Sequence, residues 1–359
     1  MPELVSLTRR RLHFIAEHQQ CRDQKSHLYG AYLIYDNEEK RQYYGHRNDI
    51  NGGRERVGMG ILFAYYLQHC PDARLQESLD QYAAYVLREL YDEETGEVFN
   101  DAPRCNDYTR LYNAPWIGRF FLEMYLLTKE PAYLDRYMKC IIRFYQEGGS
   151  HFYAIAEPMY ESVRIFQNAG RSKDAECLLT YYREHGDYIA SCGKNYPSHE
   201  VAYEQGIVAP AAGYMGELYR LTGEEKYRKA ALEQYKILDL FQGNQPDYHM
   251  NEVAIRHWDD YWFGKKRLLG DTFPHYWSAL TGLAFLHARE VTGDGTYTKK
   301  AERSLRGVLS LFREDGGASC AMVYPMSVNG REGSFYDPWA NDQDWGLYFN
   351  LKELGTGYF

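Results

Sequence analysis

The sequence lacks any long hydrophobic run. Its longest apolar stretch, from Gly60 to Leu67, is far shorter than the ~20 residues that a transmembrane helix needs. The N-terminal segment MPELVSLTRRRLHF also lacks the apolar region and small-residue cleavage site of a secretory signal. We therefore expect a protein without a membrane span or a membrane partner.

Positive charge is also scarce. The 359 residues include 41 Lys and Arg against 50 Asp and Glu, which gives a formal net charge of −9. Basic residues form no run longer than Arg9–Arg11 or Lys265–Arg267. Nucleic-acid binding normally needs a basic face, so we expect no nucleic-acid partner.

The cysteines form no recognisable framework. There are seven, scattered along the chain, and none forms a CxxC pair. This pattern is typical of reduced thiols in a cytoplasmic protein. No HExxH motif or two-His helical spacing occurs either, so the sequence predicts neither a metal nor another cofactor.

Aromatic side chains are in excess. The 35 Tyr, 16 Phe and 6 Trp make up 16% of the chain, whereas the apolar and charged fractions, 45% and 25%, are those of an ordinary globular protein. Rings with a polar tip suit the half-wet walls of a sugar-binding cleft, although they also suit interfaces and cores.

One arrangement recurs five times along the chain: an apolar helix, a short break, and a second helix. Apolar residues at helical spacing predict twelve helices, over residues 3–20, 54–69, 74–91, 113–128, 132–146, 155–168, 172–190, 203–221, 225–241, 275–291, 297–313 and 341–354. Six hairpins without a linker predict an all-α (α/α)6 toroid, formed by residues 1–359 as a single domain. The segment 313–340 is the best candidate for a small β-hairpin.

In such a toroid the even-numbered helices form an inner ring and run in the same direction. Their N-termini therefore meet at one mouth, and the loops leading into them are the long ones. Acids, imidazoles, amides and aromatics are concentrated in those six loops, whereas the opposite connections, such as TGEEKY and TGDGTY, are short. The sequence thus predicts that chemistry is located at this mouth.

Paired carboxylates beside aromatic rings are what glycoside hydrolysis requires, one as the acid and one as the base or nucleophile. Asp107 and Glu157 precede neighbouring inner helices, and we predict them as this pair, with Glu204 in reserve. Glu157 is favoured as the acid, because nearby rings would raise its pKa by desolvation. Acids at helix N-termini also act as simple caps, and that interpretation stays open for Asp342.

A second prediction concerns the substrate. Cations gather at the mouth of an acidic chain, in Arg54, Arg56 and a segment over residues 256–267 that we interpret as a lid. Arginine matches a carboxylate bidentately, so this favours a uronic acid over a neutral sugar. The predicted substrate-binding residues are Arg54, Glu55, Tyr108, Trp116, His199, Gln205, His257, Trp258, Lys265, His275, Trp277, Trp339 and Asp342.

With these segments identified, the chain resembles the six-hairpin glycosidases over its whole length. The segment NDYTRLYNAPWIGRFFLEMYLLTKEPAYLDR is similar to the Asp-bearing inner-helix segment of the unsaturated uronyl hydrolases, glycoside hydrolase families 88 and 105. This resemblance implies an essential role for Asp107. The segment AEPMYESVRIF is similar to their second motif, with Glu157 where an Asp is expected, and HEVAYEQG is similar to their fourth inner helix, with His199 or Gln205 as the counterpart.

Two further segments, HWDDYWFGKKRLLGDTFPHYWS and YDPWANDQDW, resemble the β-glucuronidases of glycoside hydrolase family 154. Together these likenesses imply a glycosidase that removes a terminal, β-glucuronide-like uronic acid from an oligosaccharide. An unsaturated uronyl hydrolase, a sugar or uronate epimerase on the same toroid, and a non-catalytic sugar-binding module stay open as alternatives. A homo-oligomer is also left open.

Overall fold

The computed structural model describes residues 2–46, 48–106, 110–200, 203–245, 248–255, 264–266, 271–324, 330 and 335–353. Four of the predicted site residues, Asp107, Tyr108, His257 and Trp258, lie outside the described residues. Most of the predicted lid over 256–267 lies outside them too.

The described part of the chain contains twelve α-helices, at nearly the predicted positions. They are α1 (Pro2–Phe14), α2 (Val57–Leu67), α3 (Ala73–Tyr85), α4 (Asn113–Thr128), α5 (Pro131–Gln146), α6 (Met159–Asn168), α7 (Ser172–Cys192), α8 (Gln205–Thr222), α9 (Glu225–Leu238), α10 (Tyr276–Thr292), α11 (Thr296–Gly307) and α12 (Asp344–Glu353). Helices α1 and α3 each continue into a π-helical turn, at Ile15–Gln19 and Val86–Leu90. No described helix is long and apolar enough to cross a bilayer.

The even-numbered helices form the inner ring of an (α/α)6 toroid, as predicted. Helices α2 and α12 are buried on nearly every side, whereas outer helices such as α5 and α11 bury one face only. A helix that is covered all round belongs in a core, and an amphipathic one belongs at its surface. The two-ring arrangement therefore follows from the distribution of apolar residues.

Three inner helices begin three or four residues later than predicted. Helix α2 begins at Val57 rather than 54, because Arg54–Arg56 forms a 3-10 turn. Helix α6 begins at Met159 rather than 155, because Ala156 has a φ of 65° and Pro158 disfavours helical backbone at the residue before it. Helix α12 begins at Asp344 rather than 341, because Trp339–Ala340 pairs as a strand.

Two small antiparallel sheets precede the inner helices α10 and α12. One has the order β2 (Arg41–Tyr43), β1 (Ile34–Asp36), β6 (Trp339–Ala340), and the other has the order β3 (Asp271–His275), β4 (Ala321–Tyr324), β5 (Phe335–Tyr336). The predicted hairpin within 313–340 is present as β4 and β5. The strands at 34–43 and 271–275 were not predicted, since three to five residues leave little alternation to detect.

The first and last described helices close the ring. The Arg11 guanidinium in α1 donates to both Asp344 carboxylate oxygens in α12, at 2.7 and 2.8 Å, and both side chains are buried. The Trp345 Nε1 donates to the Glu55 carbonyl at 2.9 Å, which joins α12 to the entry of α2.

Candidate active site at the mouth of the toroid

A cavity of about 180 Å³ lies at the N-terminal ends of the inner helices. Five of the six entries contribute to its wall: Arg54 and Glu55 before α2, Tyr112 and Trp116 at α4, Tyr153 and Ile155 before α6, Glu204 and Gly206 at α8, and Trp277 at α10. We call this the mouth cavity. The sixth entry is adjacent, because the Arg56 guanidinium donates to the Asn341 side chain at 2.7 Å. The inner N-termini thus share one mouth, as predicted.

Three residues with a strained backbone precede inner helices, and one of them, Arg54, lines the mouth cavity. Arg54, Ala156 and Tyr203 all have a positive φ, of 53°, 65° and 57°, and each lies just before an inner helix. Such conformations cost about 1–3 kcal/mol in a non-glycine residue, and they persist where the surroundings enforce them, often at functional sites.

Glu200 anchors one wall of the mouth cavity. It accepts from the Tyr112 hydroxyl at 2.6 Å and from the Tyr153 backbone N–H at 3.1 Å. Burial raises the pKa of the Glu200 carboxyl, and burial together with that carboxylate raises the pKa of the Tyr112 phenol. Tyr112 is therefore protonated at neutral pH, lines the cavity and donates its hydroxyl proton to Glu200.

The neighbouring His199 is exposed and also lines the mouth cavity. Its Nε2 lies 2.9 Å from the His151 carbonyl oxygen. Because a carbonyl only accepts, this nitrogen holds a proton, and in the neutral form of the ring Nδ1 is the acceptor. His199 thus has the tautomer that a general base needs.

Glu204 and Trp277 form another wall. Glu204 is the N-cap of α8 and accepts from the Gly206 N–H at 3.0 Å, a helix N-terminal position that stabilises an anion. A Cβ on Gly206 would lie 2.2 Å from the Trp277 ring, so only glycine lets that indole pack against the first turn of α8. Glu204 combines the capping and cavity-lining roles.

Arg54 supplies positive charge to the mouth cavity from a buried position. Its guanidinium contacts Asp49 at 2.5 Å and Glu55 at 3.3 Å. Arg110, which also lines the cavity, lies over the Tyr112 ring. Arg56, the other predicted arginine, is fully buried and donates to the Asp49 carbonyl and to Asn341, so it ties two loops together.

Glu157 lies away from the mouth cavity. Its carboxylate accepts from the Tyr137 and Tyr182 hydroxyls of the outer helices α5 and α7, at 3.2 and 3.3 Å. Burial raises the pKa of Glu157 to about 7, against the lowering effect of those two hydroxyls. The raised pKa matches the reasoning that favoured Glu157 as an acid, but the residue lines a second cavity in the lumen of the toroid.

Three other predicted binding residues have polar atoms bonded inside the protein. The Gln205 amide donates to the Trp277 carbonyl and to Thr281, at 2.5 and 2.6 Å. His275 accepts from the Trp277 N–H through Nδ1, so its Nε2 carries the proton toward Asp342, 3.2 Å away. Asp342 and His275 are both fully buried, and the cap at this helix entry is His275 itself.

Two predicted residues belong to the small sheet of β1, β2 and β6. Trp339 stacks on Tyr43 and donates to Asp36 at 3.1 Å. Lys265 contacts Asp36 at 2.6 Å, Glu38 at 3.0 Å and Glu39 at 3.1 Å, so its charge is held by three carboxylates. Neither residue lines the mouth cavity.

Sequence reasoning did not select Arg110, Tyr112, Tyr153 or Glu200 as site residues. All four lie in loops that were predicted to lead into the mouth. The sequence therefore indicated the correct loops, but not which of their residues line the cavity. Among the described residues, no three His, Cys, Asp or Glu side chains are grouped as a metal site would require.

Comparison with known proteins supports this assignment of fold. The chain matches no protein-family model and no curated protein. It is 40% identical to a polysaccharide lyase of known structure, with a TM-score of 0.90, over 98% of this chain and 53% of that one. The chain therefore spans about half the length of that lyase.

Two other solved structures share the fold at low identity. A sugar epimerase from a ruminal bacterium is 11% identical, with a TM-score of 0.63, over 98% of this chain and 99% of the other. An unsaturated glucuronyl hydrolase specific for heparin is 13% identical, with a TM-score of 0.56, over 97% and 95%. The chain has the six-hairpin glycosidase fold, and its neighbours support a carbohydrate-processing enzyme.

Proposed function

We propose that this chain cleaves a glycan next to a uronic acid bound in the mouth cavity, and that it does so by β-elimination. The observation that carries the proposal is that one cavity presents a guanidinium, an imidazole with a free acceptor tautomer, and a protonated phenol. The 40% identity to a polysaccharide lyase supports the same reaction type.

Each group has a definite task in this reaction. Arg54, with Arg110 nearby, offsets the uronate carboxylate, which makes the proton on the adjacent ring carbon more acidic. His199 Nδ1 removes that proton, a carbon–carbon double bond forms, and the bond to the leaving glycosidic oxygen breaks. The Tyr112 hydroxyl, which donates to Glu200 in the structure, transfers its proton to that oxygen. Tyr112 then takes a proton from solvent and His199 loses one to it, so both groups return to their starting states. No water is consumed, and the new chain end is an unsaturated uronate.

Hydrolysis of a terminal uronide is the second candidate, because Glu200 and Glu204 are both carboxylates of the mouth cavity. Glu200, whose pKa burial raises, would act as the acid, and Glu204 as the base or nucleophile. The pairing of Asp107 with Glu157 stays a prediction, with Asp107 outside the described residues.

Product analysis separates these reactions. The protein is incubated with uronate-containing polysaccharides, an aryl β-glucuronide and an unsaturated uronyl disaccharide, in ¹⁸O-labelled water and in deuterium oxide. Elimination gives a conjugated, ultraviolet-absorbing product without solvent oxygen. Solvent oxygen in the product would identify hydrolysis, and deuterium in an uncleaved sugar would identify epimerisation.

Variants then test the assigned residues. We expect His199→Ala and Tyr112→Phe each to lower kcat by ~10²–10⁴-fold, as loss of a general base or acid typically does. The matched controls are His69→Ala and Tyr219→Phe, located where α2 and α8 end, away from the mouth. If both site variants keep the activity of their controls, the assignment is wrong.

A further inference from the structure

A second cavity occupies the lumen of the toroid. It has a volume of about 400 Å³ and is lined from Arg119 of α4, the start of α6, and the lumen faces of α8, α10 and α12. We call it the lumen cavity. It shares no lining residue with the mouth cavity. Its volume is within the range of about 300–1,000 Å³ that is usual for small-molecule sites.

The sequence of α8 keeps this space open at a cost to the helix. Pro210 and Gly213 both face the lumen cavity from inside α8, and both residue types weaken a helix interior. A Cβ at Gly213 would meet no atom within 4 Å, so packing does not require a glycine there. Because glycine adds no side chain, the space beside this part of α8 stays open.

One buried polar group faces the lumen cavity without a partner. Glu157 is 2% exposed, and its Oε1 accepts from Tyr137 and Tyr182. Its Oε2 has no hydrogen-bond partner among the described residues. Buried polar atoms are nearly always bonded, so this oxygen is suited to accept from a ligand donor.

The strongest charges of the lumen cavity are already paired with each other. Arg119 donates to Glu161 at 3.2 Å and to the Tyr348 hydroxyl at 3.1 Å. Lys352 donates to Glu123 at 2.6 Å and also to Glu161. A ligand with a net charge would have to compete with these internal pairs, so the cavity favours a neutral one.

A further polar group is located on α8 and α10. Arg220 lies 3.9 Å from the centre of the Tyr160 ring and donates to His287 Nδ1 at 3.0 Å. His287 therefore holds its proton on Nε2, which lies 3.5 Å from Glu217. This chain of contacts leaves other guanidinium N–H groups of Arg220 as donors to a ligand oxygen. Leu280, Leu283 and Ala284 of α10 add an apolar surface to the cavity wall.

We propose that the lumen cavity is a binding site for a small neutral sugar, a monosaccharide or disaccharide. A sugar hydroxyl donates to Glu157 Oε2, another accepts from Arg220, and the C–H face of the ring packs on the apolar wall. This site is separate from the mouth cavity, and its existence does not depend on the reaction catalysed there.

Isothermal titration of the full chain tests the proposal. The probes are D-glucose and D-galactose as neutral sugars, D-glucuronate as the anion and D-glucosamine as the cation. We expect at least one neutral sugar to bind, at least ten times more tightly than the two charged probes. Absence of neutral-sugar binding, or equal binding of D-glucuronate, would overturn the proposal.

Two variants test whether the sugar binds in the lumen cavity. Gly213→Leu places a side chain in the lumen cavity, at a position where an added Cβ meets no atom within 4 Å, and we expect it to abolish neutral-sugar binding. Glu157→Gln removes the anionic acceptor and should weaken binding ~10-fold. Their controls are Gly295→Leu and Glu176→Gln, at exposed positions outside both cavities.

A variant of the mouth cavity tests whether the sugar binds there instead of in the lumen cavity. Trp277→Ala opens its wall and should leave neutral-sugar binding in the lumen unchanged. Binding that survives Gly213→Leu and is lost in Trp277→Ala would place the sugar in the mouth cavity and refute the lumen site. Loss of glycan cleavage in His199→Ala with retained sugar binding would separate the two sites.

Discussion

At the scale of single residues, Arg54 combines a strained backbone with a buried charge. Its φ is positive, its guanidinium contacts Asp49 and Glu55, and it lines the mouth cavity. A uronate carboxylate in that cavity would join this network as a further acceptor. The two carboxylates hold the guanidinium in place before a ligand arrives, which lowers the entropic cost of binding.

We expect Arg54→Gln to raise KM for a uronate-containing substrate at least tenfold more than for its methyl-esterified, neutral counterpart, which keeps the acidic proton beside its carbonyl. The reason is that a bidentate guanidinium–carboxylate contact is lost only with the acidic substrate. Steady-state kinetics on the matched pair measures this. Equal changes for both substrates would show that Arg54 only supports the loop.

Glu157 shows how surroundings set a carboxyl group's chemistry. A pKa raised to about 7 means that the folded protein holds this proton more tightly than the unfolded chain, whose value is near 4.5. The folded state therefore loses stability as the pH rises from the lower value through the higher one. A shift of this size corresponds to about 3 kcal/mol.

Glu157→Gln should remove that loss. We expect the unfolding free energy of the variant, relative to the parent, to increase between about pH 5 and about pH 9. Chemical denaturation at both values measures the difference, with the exposed Glu176→Gln as the control. The same difference at both pH values would contradict the raised pKa.

At the scale of elements, we expect substitutions of two glycines in α8 to change the stability of the protein in opposite directions. Gly206 packs under Trp277, where an added Cβ would lie 2.2 Å from the ring, whereas Gly213 faces open space. Gly206→Ala should destabilise the protein by about 1–3 kcal/mol, as overpacking does. Gly213→Ala should stabilise it by up to about 1 kcal/mol, because alanine favours the helix.

The Gly206→Ala variant should also lose activity, since Trp277 is a wall of the mouth cavity. Thermal unfolding and glycan cleavage, measured on both variants, check the pair. Two changes of the same sign in stability would contradict the packing described for α8.

The sequence predicted the secondary-structure elements better than it predicted individual contacts. Twelve helices could be predicted because each buries apolar residues at a regular spacing. The direction in which a single side chain points could not be predicted in this way. Glu157 was predicted to face Asp107, which lies outside the described residues. The structure shows that Glu157 accepts from Tyr137 and Tyr182, which lie 20 and 25 residues away along the chain on outer helices. No local pattern encodes such a contact.

The same limit applied to the small sheets and to the loop cations. Trp339 and Lys265 were predicted to bind substrate. Their contact with Asp36, about 300 and 230 residues earlier in the chain, could not be predicted. A three-residue strand such as β1 has no periodicity to indicate its partner. The mouth itself could be predicted, because it follows from the alternation of the helices and from loop length.

At the scale of the whole molecule, closure of the toroid depends on contacts between the two ends of the described chain. Arg11 of α1 and Asp344 of α12 form the buried, bidentate pair described above, and Arg11 also donates to Gln19 at 2.6 Å and to the Gly316 carbonyl at 3.1 Å. These four residues come from both halves of the sequence. The pair therefore connects the last hairpin to the first.

Removing one member of this pair should be more harmful than removing both. Arg11→Met leaves the Asp344 carboxylate buried and uncompensated, and we expect a loss of about 3–5 kcal/mol in unfolding free energy. Arg11→Met combined with Asp344→Leu removes both charges, so its loss should be smaller than the sum of the two single variants. The exposed pair Arg306 and Glu302 is the control, because Arg306→Met should cost less than about 1 kcal/mol. Denaturant titration of the four variants completes the cycle, and strictly additive losses would mean that Arg11 and Asp344 do not close the ring as a pair.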